Sequence, residues 1–326
     1  MYRVAALADY TAPFAVGAVA TLRIAEFFRE GTRTAESVAA ESGLDPNALQ
    51  RLLRALVAKG LFSEPETGLF SLTASSQFLL DSHPWSLRSA YMLMPADVCA
   101  WGRMEYSLRT GRGAFEHAHG QSLWRYLSER PEESAQFDNS MEALSRLETV
   151  WLVDAYDWAQ FRTLVDVGGG NGATLVAILT AFPFLQGVLF DLPQVVARAV
   201  ARMETAGVEE RCRIESGDFF VRVPEGHDAY VLKRIVYSYD DANATRILQR
   251  VRSGMRQDSR VLLLEPVQRK GSGFDYGKLL DVQMLILGGG RVRDRHALRG
   301  LLATAGLRLR RIIPTPMAAI VEALPE

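Results

Sequence analysis

The chain is poor in cysteine and carries almost no net charge. Cys99 and Cys212 are the two cysteines among 326 residues, and they form no CxxC pair. Neither a disulfide framework nor a cysteine zinc site is therefore encoded, and a reducing compartment is expected. Lys and Arg number 37 against 38 Asp and Glu, so the net charge of -1 provides no general basic field for nucleic acid or anionic lipid.

Long hydrophobic runs are also missing. The most apolar N-terminal stretch, residues 12–22, is too short to span a bilayer, and Asp9 interrupts the run that a secretory signal would need. We therefore expect a cytoplasmic protein with no membrane anchor. With 48% apolar and 23% charged residues, the composition is that of an ordinary globular protein, and the length favours two domains.

The first part of the chain has the pattern of a winged helix. Asp45-Pro46 provides an N-cap and a proline at the first helical position, and the helix is expected to end at Gly60. A shorter helix is predicted over residues 34–42, ended by Gly43, and a hairpin over residues 60–72.

DNA binding is the function that a winged helix first suggests. Residues 31–75, however, carry 4 basic and 5 acidic side chains, whereas DNA-binding modules present a basic face. We therefore interpret this segment as a packing or dimerisation domain.

From about residue 163 the pattern changes to alternating strands and helices. Apolar strands are predicted at residues 164–167, 187–191, 212–215, 229–232 and 261–264, with helices between them, including residues 242–256. This alternation predicts a doubly wound, mainly parallel sheet, in which ligands bind at the carboxyl ends of the strands.

A glycine loop follows the first of these strands, in the run from Asp166 to Ala173. No Lys-Ser/Thr pair follows, so it is not a P-loop. Gly168, Gly170 and Ala173 satisfy G-x-G-x-x-A, and Asp191 lies 19 residues beyond Gly172, so a dinucleotide must be considered.

Asp166 distinguishes between the possible ligands of this loop. Beside a pyrophosphate its carboxylate would repel by about 1 to 4 kcal/mol at about 4 Å, and beside an ammonium or sulfonium it would attract by as much. The loop therefore favours S-adenosylmethionine (SAM), whose ribose hydroxyls Asp191 could bind. The acidic turn at residues 215–220 could bind and stack on an adenine.

These segments resemble the SAM-dependent small-molecule O-methyltransferases of plants and their bacterial polyketide and phenazine relatives. The matching runs are residues 164–172, 190–193, 217–220, 232–233 and 288–291, and upstream 108–111, 114–116, 119–120 and 130–132. The resemblance implies an α/β fold: a Rossmann-like class I methyltransferase sheet in residues 109–326, after an N-terminal, mainly helical winged-helix dimerisation domain in residues 1–108. It also implies a homodimer.

The family's cofactor roles are carried over residue by residue. They assign Asp166 and the loop glycines to the methionine end of SAM, Asp191 to the ribose, Asp218 and Phe219 to the adenine and Lys233 to the rim of the cofactor. The full predicted set is Asp166, Gly168, Gly170, Gly172, Asp191, Leu192, Gly217, Asp218, Phe219 and Lys233.

The catalytic positions depart from the family. Tyr237 stands where the family has the histidine that removes the acceptor's proton. A phenol with an ordinary pKa of about 10 is a poor base near neutrality, where imidazole at about 6.5 is well matched. Glu265 matches one of the two glutamates that orient the histidine, and Val292 replaces the other. Tyr237 and Glu265 are the predicted catalytic residues.

Three readings remain open. The first is methylation of oxygen or nitrogen of a small aromatic or polyketide-type metabolite by proximity, to which alignment contributes about 7 to 11 kcal/mol. The second recruits His117 or His119 as the base. The third keeps the SAM pocket for a non-methylating step such as hydroxylation, decarboxylation or a pericyclic reaction. We favour the first.

Segments that line the acceptor site in the family contain methionines and a tryptophan, which suit a flat aromatic substrate. Trp101, Met141 and Met284 are the predicted substrate residues. No metal, nucleic acid or membrane partner is expected.

Overall fold

The computed structural model describes residues 4, 7–197 and 199–326. It contains two compact units, one formed by Met1–Val98 and Trp124–Arg146 and the other by Cys99–Leu123 and Leu147–Glu326. Each is described separately below.

The first unit contains the predicted winged helix. Thr34 and Asp45 cap the two helices through their side chains, which accept hydrogen bonds from Ser37 N–H at 3.1 Å and Ala48 N–H at 2.7 Å. The three strands form an antiparallel sheet in the order β1-β3-β2. The elements are α1 (Thr11–Thr21), β1 (Arg33–Thr34), α2 (Ala35–Ser42), α3 (Pro46–Ala58), β2 (Phe62–Glu66) and β3 (Leu69–Leu72).

The predicted helix, helix and hairpin are confirmed, with one difference in the hairpin. The strand β2 continues through Pro65 and Glu66, so the turn is shorter than the sequence pattern indicated. Its register shifts between Ser63 and Glu66, which accommodates a proline that lacks a backbone N–H for the ladder.

Further helices follow along the chain. They are α4 (Arg88–Tyr91), α5 (Pro95–Trp101), α6 (Met104–Thr110), α7 (Ala114–His119), α8 (Leu123–Ser128) and α9 (Pro131–Asp154). Residues 131–146 of α9 belong to the first unit and residues 147–154 to the second. In the described part of the chain, no helix is both long and apolar enough to cross a membrane.

The second unit is built on a seven-stranded sheet in the order β6-β5-β4-β7-β8-β10-β9. Its strands are β4 (Thr163–Val167), β5 (Gln186–Asp191), β6 (Cys212–Ser216), β7 (Ala229–Lys233), β8 (Arg260–Glu265), β9 (Leu307–Pro314) and β10 (Ala319–Pro325). Strands β4 to β8 are parallel, which confirms the predicted Rossmann-like α/β sheet. The helices that complete it are α10 (Ala173–Ala181), α11 (Pro193–Val196), α12 (Val200–Ala206), α13 (Asp241–Gly254), α14 (Tyr276–Leu287) and α15 (Arg295–Thr304).

Two apolar cores lie against this sheet and fix its strands. One contains Val165, Val167 and Phe190 with helix α13, and the other contains Leu164, Leu189 and helix α10. Strand β4 is central and paired on both sides, so Asp166 lies opposite Leu189 and Val231. Both faces of the sheet are therefore buried around the start of the glycine loop.

A buried glutamate lies at the antiparallel end of the sheet. Glu322 of β10 is 0% exposed, and its two oxygens accept hydrogen bonds from Arg310 at 2.6 Å and Arg311 at 2.5 Å on β9. The side chains of Arg310 and Arg311 remain 43% and 48% exposed, so water can still solvate their guanidinium groups when the carboxylate is removed.

We expect Glu322→Gln to lower the free energy of unfolding by about 1 to 3 kcal/mol, because the buried side chain loses its charge and presents an NH2 donor in place of one acceptor oxygen to the arginines. Urea unfolding followed by circular dichroism measures the change. Glu105→Gln is the matched control, since Glu105 pairs with Arg109 on the surface, and its loss should stay below about 0.5 kcal/mol. Equal effects for the two variants would contradict a stabilising role for Glu322.

Candidate active site

The carboxyl ends of three neighbouring strands bring most of the predicted cofactor residues together. Asp166 is the penultimate residue of β4, Asp191 ends β5, and Gly217 follows β6. Gly217 N–H donates to the Asp191 carbonyl at 2.9 Å, which ties the second and third strand ends to each other. A ligand at this edge of the sheet would contact residues from all three.

The glycine loop between β4 and α10 has a conformation that its glycines permit. Gly168, Gly170 and Gly172 have φ values of +70°, +62° and +78°, a region that other residues rarely adopt. Gly168 N–H donates to the Phe190 carbonyl at 2.8 Å, so the loop is fixed to β5. A Cβ on Gly170 would meet nothing within 4 Å, which leaves open space on this side of the loop.

Asp166 is the most unusual group in the site. Its side chain is 1% exposed, and neither carboxylate oxygen has a hydrogen-bond partner among the described residues. Burial raises the pKa of Asp166 to about 7, and the charge of Asp191 adds to this, while Lys233 opposes it. A buried carboxylate of this kind is costly alone and is stabilised by a cationic ligand.

Asp191 is fixed by the backbone around it. Its Oδ2 accepts from Gly170 N–H at 2.8 Å and its Oδ1 accepts from Leu192 N–H at 2.7 Å. The Leu192 side chain is 39% exposed beside it. Because Asp191 connects the glycine loop to β5, its carboxylate has a defined orientation at the strand end.

The turn after β6 places a carboxylate beside aromatic rings, as the sequence predicts. The exposed Asp218 accepts from Phe220 N–H at 2.8 Å, and the Phe219 ring lies 3.3 Å from the position of a Cβ on Gly168. Tyr239 packs edge-on against Phe219 and Phe220 at 6.1 and 5.4 Å. The sequence analysis missed Tyr239, although its position in the loop after β7 was a usable signal.

Lys233 ends β7, and its ammonium group lies against helix α9. Its Nζ donates to Thr149 Oγ1 at 2.8 Å and lies 3.7 Å from Glu148 Oε2. Burial lowers the pKa of Lys233 to about 8, and Glu148 opposes that shift. Neither Glu148 nor Thr149 was singled out from the sequence, because nothing local in a long helix indicates a partner about 85 residues away.

Tyr237 and Glu265 are in direct contact, but through the backbone. Tyr237 N–H donates to Glu265 Oε2 at 3.1 Å, while Glu265 Oε1 has no partner among the described residues. Burial raises the pKa of Glu265 to about 7, against the effect of Arg293, and burial also raises the pKa of Tyr237. The phenol is therefore protonated near neutrality, and Val292 packs beside it in place of a second carboxylate.

The predicted substrate residues belong to both compact units, and each is described within its own unit. Met284 packs against the buried cluster of Tyr237, Leu280 and Val292. Trp101 is 39% exposed at the end of α5, and Met141 belongs to the other compact unit.

The two histidines considered as alternative bases are both on α7. The exposed His117 stacks on Tyr106 at 3.8 Å, and His119 packs on Phe115 at 4.5 Å. These ring contacts give both imidazoles a packing role.

A cleft of about 820 Å³ lies next to the loop that carries Tyr237. It is lined by Tyr106, Gly111, Arg112, Gly113, Glu116, His117, Asp240, Asp241, Leu285, Gly288, Gly289, Gly290 and Arg291. None of the predicted cofactor residues lines it. The strand ends, rather than this cleft, are therefore the candidate cofactor site.

The site fits SAM on three observations. Asp166 presents a buried, unpartnered anion, Gly170 leaves open space, and Phe219 provides a ring beside the carboxylate of Asp218. With the parallel sheet, these features define a SAM-dependent methyltransferase.

Comparison with known proteins identifies the family. A family model for the O-methyltransferase domain matches residues 101–308, and one for the O-methyltransferase dimerisation domain matches residues 5–82. The chain belongs to the O-methyltransferase family, which confirms the resemblance identified from its motifs.

Individual relatives match over nearly the whole chain. O-demethylpuromycin-O-methyltransferase of Streptomyces alboniger is 40% identical over 303 residues, covering 90% of this chain and 80% of the relative. Aclacinomycin 10-hydroxylase of Streptomyces purpurascens is 33% identical over 311 residues, covering 93% and 83%. Other relatives carry the names of small-molecule O- and N-methyltransferases.

Solved structures agree with this assignment. The crystal structure of LaPhzM matches with a TM-score of 0.91 and 33% identity, covering 100% of this chain and 98% of that one. An O-methyltransferase of neocarzinostatin biosynthesis, solved with SAM and 2-hydroxy-5-methyl naphthoic acid, matches with a TM-score of 0.83 and 35% identity, covering 98% of both chains.

We expect SAM affinity to rise with pH and to level off above the pKa of Asp166, about 7. Below that value Asp166 is protonated in the free protein, and a bound cation favours the carboxylate, so binding releases a proton. The dissociation constant should fall up to about tenfold per pH unit in this range. Calorimetry in buffers of different ionisation enthalpy measures the released proton.

Asp166→Asn tests the origin of this dependence. The amide cannot ionise, so the variant should bind SAM weakly and release no proton on binding. Glu265→Gln is the matched control, because Glu265 is equally buried with a similarly raised pKa but lies at the end of β8. Proton release that persists in Asp166→Asn would contradict the assignment.

Proposed function

We propose that this protein transfers the methyl group of SAM to an oxygen or nitrogen of a small aromatic or polyketide-type specialised metabolite. The observation that carries the proposal is the buried, unpartnered Asp166 beneath the glycine loop, which suits a sulfonium donor. The names of the relatives, which act on antibiotics, phenazines and aromatic acids, support this class of acceptor.

The reaction proceeds mainly by proximity. SAM supplies a methyl group on a positively charged sulfur. Asp166 and the glycine loop hold its methionine end, Asp191 and Leu192 the ribose, and Gly217, Asp218 and Phe219 the adenine, while Lys233 supports the rim from β7. Tyr237 is protonated and does not serve as a base near neutrality, so alignment in line with the sulfonium provides most of the acceleration.

The acceptor site is expected to be formed by Trp101, Met141 and Met284. Met284 supports this expectation because it packs against the buried cluster that contains Tyr237. Flexible thioethers adapt to a flat ring system, and an indole stacks on it.

A homodimer is the proposed assembly. The match to the dimerisation domain supports it, as do the exposed apolar side chains of Tyr10, Phe14 and Leu22 in the first unit.

The non-methylating reading is the second candidate. It is supported by one relative that is a hydroxylase and by the loss of the histidine, but the other named relatives are methyltransferases, and methyl transfer is favoured. Incubation with methyl-labelled SAM and a metabolite extract separates the two readings. Label in a small molecule supports methyl transfer, whereas conversion of a metabolite without label contradicts it.

Asp191→Ala should abolish SAM binding, because it removes both the proposed ribose ligand and the acceptor for Gly170 N–H. Calorimetry measures the affinity. Asp228→Ala is the matched control: Asp228 accepts from the backbone of Arg162 and Thr163 at 2.8 and 2.9 Å, where β4 begins. Unchanged affinity in Asp191→Ala would refute the proposed ribose site.

Tyr237→Phe should reduce turnover by less than about tenfold at a pH where the acceptor is ionised, because positioning dominates. A loss above about 10³-fold, roughly 4 kcal/mol, would instead make the hydroxyl chemically essential. Tyr230→Phe is the control for loss of a buried phenol. The Tyr230 hydroxyl donates to the Gly254 carbonyl at 2.6 Å, and this contact does not involve the carboxyl ends of the strands. Steady-state kinetics on the labelled product compare the variants.

A further inference from the structure

A buried ion pair lies behind Tyr237. Glu148 of α9 is 0% exposed, and its Oε2 accepts from Arg234 Nε at 2.9 Å, while Oε1 accepts from another guanidinium nitrogen at 3.4 Å. Lys233 lies 3.7 Å from the same carboxylate. Two cations therefore share the Glu148 carboxylate, and Asp166 is a second buried carboxyl group that interacts with Lys233. Removing one partner from a buried ion pair is costly, so Glu148 fixes the position of Arg234.

Arg234 has a backbone conformation that few residues adopt. Its φ is +57°, and in the described part of the chain Arg23 is the other residue besides glycine with positive φ. The strand end holds it there, because Arg234 N–H donates to the Leu264 carbonyl at 3.1 Å. Such conformations cluster at functional sites, where the surrounding structure enforces them.

The strained residue reaches Tyr237. An Arg234 guanidinium nitrogen donates to the Tyr237 hydroxyl oxygen at 3.4 Å. The backbone of Tyr237 is fixed on both sides, since its N–H donates to Glu265 and its carbonyl accepts from Arg291 N–H at 2.7 Å. The phenol is therefore held in one place beside a permanent positive charge.

The hydroxyl proton of Tyr237 is left to bind a ligand. Its oxygen accepts from Arg234, and no acceptor for its proton lies within hydrogen-bonding distance among the described residues. Burial keeps the phenol protonated by raising its pKa. Acceptance from a cation also makes the O–H a stronger donor.

We infer that Arg234, fixed by Glu148, holds the Tyr237 hydroxyl as a hydrogen-bond donor to a phenolic acceptor that is bound as its oxygen anion. The inference rests on the proposed function and narrows its acceptor to a phenolate. Tyr237 contacts the substrate, whereas Arg234 and Glu148 are positioning residues.

This arrangement replaces the missing base. A donor and a nearby cation favour the ionised form of the bound phenol, so its O–H proton passes to solvent on binding. The phenolate oxygen then forms a bond to the methyl carbon, and the carbon–sulfur bond breaks with its electron pair going to sulfur. No proton has to be removed by the protein during methyl transfer.

Other charged groups surround Tyr237, and their titration must be distinguished from that of the bound phenol in any pH experiment. Glu265 faces it from β8, Glu148 from α9, and Tyr276 of α14 lies near Arg234. Arg293 donates to the Val236 carbonyl beside it, and Lys233 lies against Glu148. Because Glu265 and Lys233 titrate near 7 and 8, a rate profile alone is ambiguous.

The experiment therefore follows the ionisation of a bound phenol. The full chain is saturated with S-adenosylhomocysteine, and 4-nitrophenol is the probe, because its anion absorbs visible light. We expect the apparent pKa of the bound probe to lie about one unit or more below its value in free solution. Tyr237→Phe and Arg234→Gly should each reverse most of this shift.

Two variants provide the controls. Arg234→Lys retains the charge and should recover part of the shift, whereas Glu322→Gln removes an equally buried carboxylate paired with arginines and should leave the shift intact. Because glycine adopts the φ of +57° without strain, Arg234→Gly removes the side chain without adding strain to the backbone.

The outcomes distinguish this inference from the proposed function. A wild-type protein that fails to bind 4-nitrophenol or to lower its pKa overturns the inference, as does an unchanged shift in Arg234→Gly or Tyr237→Phe. Methyl transfer by a protein that does not shift the pKa of 4-nitrophenol contradicts this inference but leaves the proposed function intact. A pKa shift of 4-nitrophenol in a protein that transfers no methyl label to any acceptor supports the phenolate site and contradicts the proposed methyl transfer.

Discussion

The second unit depends on one constraint, which is that the carboxyl group of Asp166 is buried near the end of the interior strand β4 with no hydrogen-bond partner among the described residues. Asp166 is held by pairing of β4 on both sides and by apolar cores on both faces of the sheet, so it is almost completely buried. Such an anion lowers stability until a cation arrives. Binding of a sulfonium ligand therefore recovers the free energy that burial of the Asp166 carboxylate costs.

The loss of the family histidine is matched by changes around it. Val292 replaces the second carboxylate and packs against Tyr237 as hydrocarbon, which a neutral phenol tolerates and a protonated imidazole would not. Glu265 is retained but binds the Tyr237 backbone, so its role is to hold the loop. Tyr237 is thus held through its backbone by Glu265 and packed through its ring against Val292, so it is integrated into its surroundings.

The parallel sheet, the winged helix and the loop between β4 and α10 could be predicted because each has a local signal: alternating apolar segments, capping residues, and glycines after a strand. The antiparallel strands β9 and β10 were not predicted, since their arginine-rich sequence pairs with Glu322 only after the chain has folded back. The partners of Lys233 were also not predicted, and the sequence assigned this residue only to the rim of the cofactor. Its direction depends on Glu148 and Thr149, which a strand motif does not contain.

The glycine loop shows how a motif can emphasise the wrong residue. G-x-G-x-x-A selects Gly168 and Gly170, whose positive φ values explain them. Gly169 lies outside the pattern and has an ordinary φ, yet a Cβ there would lie 2.6 Å from the carboxylate carbon of Asp166. Any larger residue would push this carboxylate out of its buried position. The middle glycine of the run is therefore explained by the Leu189 and Asp166 side chains for which it leaves room, rather than by the turn.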